Sequence, residues 1–230
     1  MLRGHNFLEK DRFGFPMDAR NNLKSLIENL IEPVRAVSPG AKLYLVTYDS
    51  PALADLREAL APDDCLVLDA NGSTQCETYK EGLKRVIQHS DYDALIATRF
   101  DLDFRKKFNE WNLKVTNNSI LFPWRELKYH WRDHKRVGDG VHVIGRNAIP
   151  AFHNAIIMNQ LSGRNHMHMM YYYLRTMHEE LGFIEDGYWD SNTLFSNPEG
   201  DNPLYKIFNR PKLDMLAPNT GRTIAEIRAE

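Results

Sequence analysis

Tyr92-Asp93-Ala94-Leu95-Ile96-Ala97-Thr98-Arg99-Phe100-Asp101-Leu102-Asp103-Phe104 is the stretch whose reading decides the fold. It opens as a short apolar run, the pattern of a strand buried in a parallel sheet. It closes on two carboxylates one residue apart. In an open α/β sheet, ligands bind at the carboxyl ends of the strands. Two acidic side chains there repel each other unless a cation neutralises them, and a hard divalent ion with oxygen ligands suits the pair. Aspartate is also common in surface turns, so Asp-x-Asp alone does not settle a function.

The chain on either side supplies the context. After Asp18, a candidate N-cap, the residues Leu23, Leu26, Ile27, Leu30, Ile31 and Val34 recur at helical spacing. Residues 42–47 read as a strand, 53–60 as a helix and 65–68 as a strand. A further helix, capped by Ser73 or Thr74, runs to about residue 88. Strand and helix alternate up to residue 104, which predicts a parallel sheet with right-handed crossovers. Met1-Leu2-Arg3-Gly4-His5 reads as the end of a first strand and its loop, with hardly any strand before it.

Beyond residue 118 the alternation fades. Residues 119–122 and 141–144 are expected strands, separated by an aromatic and basic loop holding Trp124, Trp131, Arg132 and Arg136. Residues 149–161 read as a helix with Pro150 in its first turn, and 166–181 as a second helix dense in Met and Tyr. His166 and His168, two apart on such a helix, would face different ways and not share a metal. Asp139 is either a loop cap or a functional group. Arg99 either grips a phosphate or neutralises the acidic pair.

Composition narrows the classes. Of 230 residues, 43% are hydrophobic and 26% charged, ordinary values for a globular chain. The net charge is -2, from 29 basic and 31 acidic residues, which gives no support to nucleic-acid binding through a global basic surface. Two cysteines, Cys65 and Cys76, are too few for a disulfide framework, which points to a reduced, cytoplasmic setting. No apolar run long enough for a transmembrane segment occurs; peripheral membrane contact stays open. No Gly-x-Ser-x-Gly elbow and no glycine-rich phosphate loop is present.

Several stretches together resemble a family. Leu2-Arg3-Gly4-His5, Arg20-Asn21-Asn22, Leu45-Val46-Thr47-Tyr48-Asp49-Ser50 and Thr98-Arg99-Phe100-Asp101 are similar to segments of glycosyltransferases from capsule and surface-polysaccharide clusters, also found in large algal viruses. The resemblance implies a single GT-A-like domain over residues 1–230, with a Rossmann-like, mainly parallel sheet flanked by helices. It implies a nucleotide-binding half to about residue 118 and a helical and loop acceptor half from 119. It implies a nucleotide-diphosphate sugar donor, a glycan or other hydroxyl acceptor, and Mn²⁺ or Mg²⁺ bridging the donor diphosphate.

By the same resemblance Asp103 is the principal metal ligand, and Asp101 contacts donor ribose or metal-bound water. Arg3, Gly4 and His5 lie against the nucleotide, with Arg99 nearby. Glu185, Asp186 and Asp190 are the acidic positions near the acceptor, Asp190 being the candidate base. The first strand of the family, almost missing here, is the departure. Two other classes stay open: a haloacid-dehalogenase-like phosphatase using Asp101 as nucleophile, and a non-catalytic sugar- or nucleotide-binding module.

Overall fold

The computed structural model describes residues 1–11, 14–70, 74–88, 92–178, 180–189, 203–208 and 222–223. Seven strands form one sheet: β1 (Leu2–Arg3), β2 (Tyr44–Tyr48), β3 (Asp64–Leu68), β4 (Ala94–Arg99), β5 (Ile120–Phe122), β6 (Val141–Gly145) and β7 (Leu181–Phe183). Their spatial order is β3-β2-β1-β4-β6-β5-β7. The first four strands run parallel, β6 is antiparallel to both its neighbours, and β7 is parallel to β5. The mainly parallel sheet flanked by helices is therefore present, with one reversed strand. No helix among the described residues is long and apolar enough to cross a membrane.

Strand β2 explains why the sequence reads as an unbroken apolar run. Tyr44 and Val46 enter one core, with Tyr79 and Leu83 of the helix Gln75–Ile87 and Phe152 of the helix Ile149–Leu161. Leu45 enters the other core, with Leu26 and Leu30 of the helical segment 19–37 and Leu56 of the helix Leu53–Leu60. A strand covered on both faces cannot alternate apolar with polar.

The helix starts follow local chemistry. Thr74 accepts a hydrogen bond from Glu77 N at 3.3 Å, and Asp18 from Arg20 N at 3.0 Å, each satisfying a donor the first turn leaves free. Pro150 sits where its missing N–H costs nothing. Segment 19–37 changes pitch along its length: 3-10 over Ala19–Asn22, π over Leu26–Ile31, then α over Glu32–Val37. At the end of the π stretch Glu32 N reaches back to Ile27 O, just before Pro33, which has no N–H to give.

Three expectations shift. Residues 92–104 are not one strand: β4 ends at Arg99, and Leu102–Phe104 leaves the sheet to pair antiparallel with Tyr205–Ile207. Phe100, Leu102 and Phe104 are buried in the second core, and that packing bends the chain where an apolar pattern alone reads as continuous. The expected helix 166–181 shrinks to Met170–Leu174, because residues 181–183 extend the sheet beside β5; Met167 and Met170 are core. The aromatic and basic loop contains the helix Lys128–His134. The two-residue β1 is nonetheless central, Leu2 pairing with Leu45 on one side and Thr98 on the other.

Candidate functional site

From β1 the chain crosses to β2 on one side, while β4 lies on the other, so the carboxyl ends of β1 and β4 form the topological switch point of the sheet. Arg3 and Arg99 are register partners there. Gly4 follows with φ +98°, a conformation open to glycine and strained for side chains. Its N–H bonds to Val46 O at 2.9 Å and its carbonyl accepts Thr47 Oγ1 at 2.8 Å, which fixes the turn. His5 is exposed, its ring 4.5 Å from that of Tyr48 and within electrostatic reach of Asp101.

A chain of buried charges spans the switch point. Arg99 forks onto Asp101, with Nε 2.8 Å from Oδ1 and Nη2 on Oδ2. Its Nη1 reaches Asp139 Oδ1 at 3.4 Å. Asp139 Oδ2 accepts from Gln75 Nε2 at 3.0 Å and lies 3.5 Å from His168 Nε2. His168 Nδ1 lies 2.8 Å from Glu126 Oε2, and Arg136 stands 3.6 Å from the same oxygen. Arg3 lies with its guanidinium carbon 3.8 Å from the Tyr79 ring centre, donates to Asp139 O at 3.0 Å, and keeps a buried Nε without a partner.

Electrostatics fixes the protonation states. Burial opposes charge on His168, but Asp139 and Glu126 outweigh it and push its pKa up to about 9. Burial likewise opposes charge on Asp139, yet His168, Arg99 and Gln75 hold it well below the usual carboxylate range. Arg3, Arg99, Arg136 and protonated His168 thus face Asp101, Asp139 and Glu126, four cations against three carboxylates. The surplus is positive, and two buried donors of the cluster, Arg3 Nε and Arg136 Nε, have no hydrogen-bond partner. Such a cluster favours an incoming anion.

Segment 19–37 holds the Asp101 turn in place. Asn22 Nδ2 donates to Phe100 O at 2.8 Å and to Leu102 O at 2.7 Å. Ser25 Oγ accepts from Phe104 N at 2.7 Å, and Asn29 Nδ2 donates to Phe104 O at 2.9 Å. Asn22, Ser25 and Asn29 share one helix face, so a single polar stripe clamps residues 100–104. Gly140 leaves room for Tyr205 on the other side: a Cβ there would lie 2.3 Å from the Tyr205 hydroxyl.

Both carboxylates of the aspartate pair meet a cationic side chain. Asp101 gives both oxygens to Arg99, which settles that arginine as its neutralising partner here. Asp103, its side chain 31% exposed, has Oδ2 3.0 Å from Lys206 Nζ. Among the described residues no group of three or more His, Cys, Asp or Glu is placed to hold a metal ion. The donor set still fits an ion that arrives with a substrate, since Mg²⁺ commonly binds through one or two carboxylates plus phosphates. Asp103 is the accessible one.

The carboxylates expected near the acceptor have ion-pair partners of their own where they are described. Glu185 Oε1 is 2.5 Å from Lys106 Nζ; Asp186 pairs with Arg125 and is 88% exposed. Asp190 falls outside the described residues. Arg125 lies over Phe183 at 4.2 Å, near Trp131 and Tyr188. His168, Glu126 and Gln75 were not legible as site residues. The histidine hid in an apparent helix that is in fact a turn, and Gln75 looked like an ordinary first-turn residue.

No protein-family model matches the sequence, and no curated protein matches it either. Among solved structures, the chain is similar to the glycosyltransferase GlyE of Streptococcus pneumoniae TIGR4, with 13% identity, TM-score 0.42, and coverage of 70% of this chain and 42% of that one. It is similar to the galactosyltransferase LgtC in complex with donor and acceptor sugar analogues, with 11% identity, TM-score 0.42, and coverage of 80% and 73%. The bifunctional glycosyltransferase WbbM aligns with 10% identity, TM-score 0.47, and coverage of 80% and 38%. The chain spans less than half the length of GlyE and of WbbM.

Proposed function

We propose that the chain is a glycosyltransferase that moves a sugar from a nucleotide-diphosphate donor to a hydroxyl acceptor, a glycan being the expected one. The observation that carries this reading is the net-positive cluster of Arg3, Arg99, Asp139 and His168 at the β1/β4 switch point, with Arg3 Nε unanswered. A diphosphate placed there would meet Arg99, which keeps 15% of its side chain exposed and is already fixed by Asp101 and Asp139, while Arg3 adds positive potential from its buried position. Donors that need no reorganisation are the effective kind for charge that builds on a leaving group.

Asp103 would hold Mn²⁺ or Mg²⁺ brought with the donor, exchanging its contact with Lys206. That ion would supply Lewis-acid neutralisation of the diphosphate. Asp101 orients Arg99 and does not act as a nucleophile, because both its oxygens accept from the arginine fork. That geometry sets the phosphatase reading behind the transferase one. On the acceptor side, Asp186 is more open to a hydroxyl than Glu185, 88% against 18% exposed, with Asp190 and Glu185 as the other candidates for a base.

The test is a thermal-shift screen of nucleotide sugars with and without Mn²⁺, since a ligand that binds only the folded state raises the melting temperature by mass action. One nucleotide class should stabilise the protein, more strongly with Mn²⁺. Asp103→Asn should keep the melting temperature of the free protein and lose the Mn²⁺-dependent part. Stabilisation identical in Asp103→Asn would remove the metal assignment. A protein indifferent to every nucleotide would remove the whole reading, the sugar-binding module included.

A further inference from the structure

Strands β5 and β7 run in the direction of β4, so the segments leaving their carboxyl ends share one edge of the sheet with the switch point. Two of those segments meet there. The short strand Arg125–Glu126 lies parallel to Tyr188–Trp189, held by Arg125 N on Gly187 O at 3.1 Å and Leu127 N on Trp189 O at 3.3 Å. Successive side chains of a strand point to opposite sides. Glu126 turns inward to His168 and the buried cluster, and Arg125 turns outward.

The guanidinium of Arg125 lies on a platform of rings. Its central carbon is 4.2 Å from the ring centre of Phe183, 5.4 Å from that of Trp131 and 5.8 Å from that of Tyr188. Trp131 and Phe183 pack in turn on the first core. Lys135 Nζ lies 5.1 Å from the same Trp131 ring, so two cations share it. Stacking of this kind holds a planar guanidinium in one orientation and leaves its N–H edge for a partner. Among the described residues that partner is Asp186, and the two are unequal: the arginine side chain is 24% exposed and the aspartate 88%. The cation is the fixed member of the pair and the carboxylate the movable one. An exposed ion pair adds little stability, so Asp186 is a weak competitor for any other carboxylate that reaches the fork.

We infer that Arg125 anchors a binding site for a carboxylate-bearing sugar, a hexuronic acid, whose carboxylate takes the place of the Asp186 side chain. A planar carboxylate matches the guanidinium fork bidentately. Trp131 and Tyr188 offer ring surface to the C–H face of the pyranose, while the arginine sets its orientation. Lys135 adds a second positive charge. The exchange releases Asp186 beside the bound sugar. As a statement about the acceptor this rests on the transferase reading above; as a statement about binding it does not.

The test titrates the 230-residue chain, without nucleotide, with the methyl glycosides of glucuronic, galacturonic and mannuronic acid, each beside its neutral hexose. Ligand-observed NMR and the indole N–H signal of Trp131 are the readouts. At least one hexuronide should bind and move the Trp131 signal, and its hexose should bind at least about tenfold more weakly. Added salt should weaken the response. Arg125→Gln should no longer distinguish acid from hexose. Asp186→Asn should bind the hexuronide at least as tightly as the parent chain, by up to about fivefold, since it removes the competing carboxylate. If Arg125→Gln does not fold, the Asp186→Asn result and the acid-to-hexose ratio decide. Four outcomes overturn the inference: no hexuronide bound at millimolar concentration, equal binding of acid and hexose, a preference for the acid that survives Arg125→Gln, or weaker binding in Asp186→Asn. The nucleotide-sugar screen on the same protein keeps the two readings apart. Hexuronide binding with no response to any nucleotide removes the transferase and leaves this site, and a nucleotide response with no hexuronide binding removes this site alone.

Discussion

Asp139 and Asp186 both sit on the carboxyl side of the sheet and both pair with arginine, yet they live in different solvents. Asp139 is buried, with Arg99, His168 and Gln75 around it. Asp186 is 88% exposed, and Arg125 is the partner it meets. The first must exist before any ligand arrives, because no water can replace a missing partner. The second can open and close at little cost. A preorganised charged cluster and an adaptable exposed rim are what this contrast provides.

The comparison breaks most visibly at Asp139. Asp139→Asn leaves Arg99 and His168 buried with one fewer countercharge, and removing one partner of a buried pair costs about 3–5 kcal/mol. Denaturant unfolding should report a loss of that size. A cost under about 1 kcal/mol would mean that water reaches the cluster and that it is not preformed.

Next in size is a pH effect centred on His168. Its folded pKa, raised to about 9 by Asp139 and Glu126 against burial, lies above the ordinary value near 6.5. A raised pKa means that the folded state holds the proton more tightly. The stabilisation is therefore complete below about pH 6.5 and is lost as pH rises through about 9. Stability should fall by on the order of 1 kcal/mol per pH unit across that window, and His168→Gln should flatten the slope there. A wild-type profile flat from pH 6.5 to 9.5 would refute the charged histidine.

The two regions also differ in how far the sequence revealed them. The parallel sheet was legible because strands covered on both faces leave long apolar runs, as in residues 44–48 and 94–99. Asp101 and Asp103 were legible because they end such a run. The bend at Phe100 was not, since a buried turn and a buried strand are equally apolar. Nor was the partnership of Glu126, Asp139 and His168, which joins three distant segments through contacts that no spacing rule encodes. The Arg20-Asn21-Asn22 motif was visible as a resemblance, and its physical meaning emerged only with the clamp on residues 100–104.

That clamp gives a third prediction, of intermediate size. Asn22→Ala leaves the carbonyls of Phe100 and Leu102 without their donor, and unsatisfied buried acceptors cost about 1–3 kcal/mol. Asn22→Asp should be no better, because it removes the donating amide at unchanged volume. Both should weaken nucleotide binding more than their effect on melting requires, since the turn they release carries Asp101. Nucleotide affinity unchanged in a folded Asn22→Ala protein would uncouple the clamp from the site.

The smallest effect belongs to the exposed rim and is the sharpest test of the contrast. Asp186→Asn removes a carboxylate that is already mostly in water, and exposed ion pairs contribute about 0–1 kcal/mol. Arg125 keeps its place without it, because its guanidinium carbon lies 4.2 Å from the Phe183 ring and near Trp131 and Tyr188. Melting temperature should therefore barely move, and added salt should erase what difference there is. Turnover separates the two roles open to this group. If Asp186 takes the acceptor proton, kcat should drop by roughly 10²–10⁴-fold with donor affinity intact. If turnover is normal, Asp186 is a surface partner of Arg125, and the base must be sought at Glu185 or Asp190.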